Sequence, residues 1–145
     1  MKQWCSAQLN YFLLALAFFT RIPIPASTPY SAERLNHASR YFAAVGLIIG
    51  LICGGTLWIF TMLLPSSSAI VISMVFGLLL TGAFHEDGLA DMCDGLGGGL
   101  DRERKLVIMK DSRIGSYGAI TLIMALLLKF TLLQGLAGSG VSTAV

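Results

Sequence analysis

The chain has 145 residues, of which 55% are hydrophobic and only 12% charged, with a mean hydropathy of +0.75. Such a composition excludes an ordinary water-soluble domain and points to membrane insertion. The net charge of +2 is too small to suggest a nucleic-acid partner.

Residues Leu9 to Thr20 are apolar, but about a dozen residues cannot cross a bilayer as a helix. Lys2 and Arg21 flank this stretch much as charges flank a signal peptide's core, yet Arg21-Ile-Pro-Ile-Pro25 is a poor cleavage region. A helix lying at the interface or re-entering the membrane is the preferred reading, ended by Pro23 and Pro25. Ser31 to Arg40 is polar and helical in pattern. Tyr41 to Leu64 is uncharged and long enough to span with tilt. Its Gly46, Gly50 and Gly54 recur at four-residue spacing, which either admits a second helix or is simple tolerance of glycine facing lipid. Pro65 to Ser68 reads as a tight uncharged turn. Ala69 to Phe84 forms a second span that runs directly into an acidic segment. Gly95 to Arg113 is the most charged stretch, and Ile114 to Leu136 is a third apolar span carrying Lys129, read as a side chain that snorkels or faces a partner helix. The fold class is therefore all-α: a polytopic integral membrane helical bundle of about three long spans plus the N-terminal interfacial or re-entrant helix, forming one membrane domain over 1–145.

Lys and Arg collect on the cytoplasmic side of membrane proteins. Arg21, Arg34 and Arg40 precede the first long span, and Arg102, Arg104, Lys105, Lys110 and Arg113 follow the second, whereas the 65–68 turn is neutral. Both basic segments are thus expected to face the cytoplasm of a bacterial inner-membrane protein, with the acidic segment at the same surface. The three cysteines, Cys5, Cys53 and Cys93, imply no disulfide framework. Cys53 reads as apolar filling. Cys93 lies between acids but suits a soft metal better than a carboxylate-rich site.

Half of the eight acidic residues fall between Glu86 and Asp94, in His85-Glu86-Asp87-Gly88-Leu89-Ala90-Asp91-Met92-Cys93-Asp94-Gly95. On a helix Asp87, Asp91 and Asp94 lie within an arc of about 60°. Carboxylates that close repel, and a hard cation such as Mg²⁺ relieves the cost. The blander alternative is a solvated helix start whose acids favour the dipole. The expected metal ligands are Asp87, Asp91 and Asp94, with Glu86 on a different side as a further ligand or a solvent-facing group. His85 is either a general base or an interfacial histidine bonded to backbone. Gly97-Gly98-Gly99 frees the backbone to turn beside a ligand. Lys110, Ser112 and Arg113 are candidates for binding phosphate; Arg102, Arg104 and Lys105 serve equally well as an anchor to anionic lipid. Acids for metal beside bases for phosphate form the layout of a phosphoryl-transfer site.

Four blocks give the sequence a resemblance to a known family: FFTRIPIP (18–25), YFAAVGLIIG (41–50), GAFHEDGLADMCDG (82–95) and RERKLVIMKDSRIGSYGAI (102–120). They resemble, in order and spacing, the cobalamin synthase (adenosylcobinamide-GDP ribazoletransferase) family. The resemblance implies an integral membrane enzyme that joins adenosylcobinamide-GDP to α-ribazole or its 5′-phosphate, releases GMP and uses Mg²⁺. By the resemblance Asp87, Asp91 and Asp94 match the family's acidic motif and Lys110, Asp111, Ser112 and Arg113 its second block; His85 joins the three aspartates as an expected catalytic residue on its own chemistry, and Lys110, Ser112 and Arg113 are the expected substrate contacts. Family chains are longer, so this sequence is expected to be an N-terminal portion, with a homo-oligomer or another membrane protein as possible partners. A CDP-alcohol phosphotransferase is the second enzyme reading, but Asp91 stands where that signature has Arg and its later aspartate pair is absent. A cation transporter and a non-catalytic subunit are the readings from other classes.

Overall fold

The computed structural model describes residues 2–139. Every regular element among them is helical: α1 (Lys2–Phe19), α2 (Ala32–Ala38), a 3₁₀ turn (Ser39–Tyr41), α3 (Phe42–Thr61), α4 (Ser66–Thr81), α5 (Phe84–Gly98), α6 (Arg102–Met109) and α7 (Ser116–Ser139). Two helical runs, Ala32–Thr61 and Ser116–Ala137, are long and apolar enough to cross a membrane. The pair α4 and α5 passes the same test together but is broken between its members, which makes a third span if counted as one. The all-α, polytopic membrane architecture read from the sequence is therefore present. The described residues group into two compact units, one through Leu63 with Ile72–Gly82, the other Leu64–Val71 with Ala83 onwards.

In the first unit α1 begins earlier than the apolar pattern suggested, because the polar residues before Leu9 continue the same helix. Its apolar part, Ser6–Phe19, remains too short to span. Thr20 closes it: the Thr20 hydroxyl donates to the Leu16 carbonyl at 2.7 Å and accepts from the Ile22 amide at 3.2 Å, just before Pro23. The core is small and made where α1 meets α2 and α3, with Leu14, Ala15, Ala38 and Val45 buried and Phe12, Phe19 and Phe42 packed around them. Phe19 meets Phe42 edge-on, ring centres 4.6 Å apart. Tyr41 donates its hydroxyl to Gln8 Oε1 at 2.8 Å, and Ser73 donates to the Cys53 carbonyl at 2.8 Å, tying α4 to α3. No atom stands within 4 Å of where a side chain on Gly46, Gly50 or Gly54 would begin. Within the described chain, that small-residue stripe thus has no helix packed on it. Most large apolar side chains of α3 and α7 are exposed, as expected for surfaces that lipid covers.

Two local expectations are corrected. Ser66 to Ser68 are not a turn but the first turn of α4: the Pro65 carbonyl accepts the Ser68 and Ala69 amides at 2.9 and 3.1 Å. Proline sets an extended entry and serine is well suited to a helix start, so the helix begins where a turn was read. The second span also does not continue into the acids. Gly82 and Ala83 take left-handed backbone conformations (φ 64° and 57°), ending α4, and the acids open a new helix. Gly82 adopts this conformation at little cost; Ala83 does so against a penalty of about 1–2 kcal/mol.

In the second unit α5 packs against α6 and α7, with Ala90, Asp94 and Gly95 buried. Gly97 and Gly98 belong to α5 instead of a flexible loop. A Cβ on Gly97 would lie 2.5 Å from the Tyr117 ring, and one on Gly95 2.6 Å from Met109 Cγ. These glycines permit close helix packing, which is the physical reason they sit there. The helix α6, unforeseen in the charged stretch, starts at Asp101, whose side chain accepts the Arg104 amide at 2.7 Å. Lys129 is exposed on α7.

Candidate functional site

The break at Gly82–Ala83 places Glu86 and Asp87 in the first turn of α5, where the helix dipole favours negative charge. The Ala83 carbonyl accepts the Asp87 amide at 2.8 Å and so begins the helical ladder. One turn on, Asp91 follows on the same side as Asp87. These three acids, with Ala83 and Ala90, form one wall of a cavity of about 320 Å³. Met109, Lys110, Asp111, Ser112 and Ile114, from the connection between α6 and α7, form the opposing wall, and Leu122 of α7 adds apolar surface. Three carboxylates thus stand across a small space from an ammonium, a hydroxyl and the Asp111 carboxylate. The volume is at the lower end of small-ligand sites.

Asp94 departs from the expected trio. It is buried, and its carboxylate accepts the Gly115 amide on Oδ2 at 2.7 Å and the Gly118 amide on Oδ1 at 2.8 Å. It does not line the cavity. The shared helix side is real, but the three carboxylates do not converge on one point: among the described residues no three His, Cys, Asp or Glu side chains stand close enough to enclose a metal ion. Cys93 consequently joins no such group.

The residues that remain still fit a hard cation. Glu86 Oε2 is buried and has no hydrogen-bond partner among the described residues. A carboxylate oxygen in that state is costly unless a proton or a cation meets it. Mg²⁺ characteristically takes only one or two protein carboxylates, completing its shell with water and substrate phosphate oxygens. Glu86, Asp87 and Asp91 supply oxygen donors of that kind beside an open space.

His85 is exposed and outside the cavity lining, its ring edge-on to Phe84 at 5.5 Å. Of the three expected phosphate contacts, the structure brings Lys110 and Ser112 to the cavity but not Arg113. Arg113 instead clasps Asp111. Its Nη2 donates to Oδ2 at 2.7 Å, its Nε donates to Oδ1 at 3.1 Å, and its backbone amide also donates to Oδ1 at 3.1 Å. These bonds hold the Asp111 carboxyl below its ordinary range and push the Arg113 guanidinium further up. Both groups are solvent-exposed, so the pair shapes the loop more than it stabilises the fold. Asp111 was read only as part of the 110–113 block, without a role of its own, and the part played by the Gly115 and Gly118 amides was not foreseen. An Asp-Ser-Arg run before glycine is the signature of a side chain closing a turn on its own backbone, and would have flagged Asp111.

The long apolar helices define a helical membrane protein, with a polar cavity lined by residues of α5 and of the α6–α7 connection. The sequence profile of the cobalamin-5-phosphate synthase family matches residues 11–145, and the chain belongs to that family. It is 60% identical over 125 residues to the adenosylcobinamide-GDP ribazoletransferase of Vibrio parahaemolyticus, an alignment covering 86% of this chain and 47% of the relative. The relative of that name from Vibrio cholerae is 59% identical over 130 residues, covering 90% of this chain and 50% of its own length. That from Shewanella amazonensis is 57% identical over 136 residues, covering 94% and 52%. The chain spans about half the length of the curated relatives it matches. No solved structure matches it.

Proposed function

We propose that this chain carries the phosphate-handling part of an adenosylcobinamide-GDP ribazoletransferase, transferring the adenosylcobinamide phosphate moiety to α-ribazole or α-ribazole 5′-phosphate with release of GMP. The observation that carries the proposal is the cavity with Glu86, Asp87 and Asp91 on one wall and Lys110 and Ser112 on the other. Family membership supports the choice of substrates.

In this reading Asp87 and Asp91, with Glu86, would hold Mg²⁺. When bound, the ion supplies charge neutralisation at the pyrophosphate. The Lys110 ammonium and the Ser112 hydroxyl bind phosphate oxygens from the opposite side and orient the diphosphate. The ribazole hydroxyl attacks the cobinamide-side phosphorus in line: a new P–O bond forms, the P–O bond to GMP breaks, and the hydroxyl proton is released. Charge building on the leaving GMP is met by Lys110, so its contact strengthens as the bond breaks. The excess of Lys and Arg before α3 and after α5, against the neutral 65–68 segment, supports a cytoplasmic active side in a bacterial inner membrane.

Product analysis tests this. Membranes bearing the chain, and in parallel the full-length Vibrio parahaemolyticus relative, are incubated with adenosylcobinamide-GDP, α-ribazole and Mg²⁺. Mg²⁺-dependent GMP release coupled to cobalamin formation is expected of the relative, and its loss on Asp→Asn at the position aligned with Asp87. GMP release that ignores this substitution would overturn the assignment of the cavity.

A further inference from the structure

We infer that Asp94 is a positioning residue, a latch that fixes the α6–α7 connection, with Lys110 and Ser112 on it, against the carboxylate-bearing helix α5. The inference rests on the proposed phosphate-handling role of the cavity and assigns Asp94 a different task from Asp87 and Asp91.

The first amides of a helix have no partner within it. At the start of α7 two of them, Gly115 and Gly118, are taken by the two oxygens of one carboxylate borne on another helix. A negative charge there also meets the positive end of the α7 dipole. The fit excludes side chains: a Cβ on Gly118 would collide with Asp94 Oδ2 and would lie 2.9 Å from the Ala90 carbonyl oxygen, which is backbone of α5. A Cβ on Gly115 would likewise collide with Asp94 Oδ1. The α7 start therefore lies directly on α5.

The other end of the connection is held by the neighbouring residue. Gly95 receives Met109, whose Cγ and Cε would stand 2.6 and 2.8 Å from a Cβ at that position. Residues 110–114 are thus tied to α5 at both ends, through Gly95 before them and Asp94 after them. A segment that short has little freedom once both ends are fixed, and it carries Lys110, Asp111, Ser112 and Ile114 into the cavity wall. With both oxygens occupied and the side chain buried outside the lining, Asp94 sets where the wall bearing Lys110 and Ser112 stands and does not itself face the ligand.

The test separates a latch from a metal ligand. In the wild-type chain in lipid nanodiscs, hydrogen exchange at the Gly115 and Gly118 amides should be slow and unchanged by saturating Mg²⁺. Faster exchange on adding Mg²⁺ would mean the carboxylate leaves the amides for the ion and would overturn the inference. Asp94→Asn keeps the shape but turns one acceptor into a donor facing an N–H. It should speed exchange at these amides about tenfold, the loss of roughly one hydrogen bond. It should weaken GDP binding while leaving Mn²⁺ affinity as in wild type. Mn²⁺ affinity falling as far as in Asp87→Asn would instead make Asp94 a ligand. If Asp94→Asn does not fold, the wild-type exchange measurement decides alone. Absence of cation binding by a folded wild-type chain would sink only the metal reading of the cavity; the latch is then judged by GDP affinity in Asp94→Asn, and an unchanged affinity overturns it.

Discussion

Lys110→Met removes one positive charge from the cavity wall while keeping a side chain of similar length. Lys110 follows α6, its amide donating to the Val107 carbonyl at 3.3 Å, and it lines the same cavity as Glu86, Asp87 and Asp91. A charge-assisted hydrogen bond is worth about 1.5–3 kcal/mol. Lys110 is exposed, so solvent screening places its share near the lower bound, about 1.5 kcal/mol, or roughly a tenfold fall in kcat/KM at 1.4 kcal/mol per decade. Arg113→Met deletes the same charge three residues further along the chain, but Arg113 does not line the cavity and is already engaged with Asp111, which does. Its effect should be clearly smaller than that of Lys110→Met. The assay is steady-state GMP release by the full-length Vibrio parahaemolyticus relative with the aligned positions changed, at matched expression and at two ionic strengths. The Lys110 effect should shrink at high salt. Equal losses from the two substitutions, or a neutral Lys110→Met beside a damaging Arg113→Met, would refute the placement of phosphate in this cavity.

Gly95→Ala should destabilise the second unit by about 1–3 kcal/mol, since the new methyl meets Met109 and stands 3.1 Å from the Lys105 backbone carbonyl, which cannot yield without moving α6; a thermal melt in detergent reads this, and an unchanged midpoint contradicts it. The Asp111 carboxyl is held below its usual value of 3.8, so its clasp on Arg113 contributes in full above that pH and is lost only as pH falls through the lower, folded-state value. The Arg113 side-chain NMR signals should therefore hold steady through the ordinary carboxylate range and change below it, and Asp111→Asn should abolish the change. Cysteine probes in a background lacking Cys5, Cys53 and Cys93 should be labelled from outside intact cells at Ser67 and not at Arg104; the reverse pattern would invert the topology.

Much of the fold was legible because apolar stretches of membrane length leave few alternatives. Phe42–Thr61 and Ser116–Ser139 lie almost where hydropathy put them. The break before α5 was not legible, since it depends on Ala83 in a left-handed conformation, which alanine rarely takes. Asp87 and Asp91 line one cavity, consistent with their spacing on one helix side. Asp94 obeyed the same spacing, yet its partners lie 21 and 24 residues further along, and no local pattern announces amides that only tertiary packing brings near. Gly97 shows the same limit: glycine signals both backbone freedom and close packing, and only Tyr117 above it decides between them. Lys110 and Arg113 looked equivalent as charges three apart, until the Asp111 side chain claimed one of them.

The most direct measurement is Mn²⁺ binding followed by electron paramagnetic resonance, with Mn²⁺ standing in for Mg²⁺, on the chain in lipid nanodiscs with and without GDP. Wild type should bind the ion, more tightly when GDP is present, because phosphate oxygens complete its shell. Asp87→Asn and Asp91→Asn should lose that binding, while Arg113→Ala should keep it. Binding that survives both aspartate substitutions, or that GDP does not strengthen, would contradict a cation and phosphate site between α5 and the α6–α7 connection.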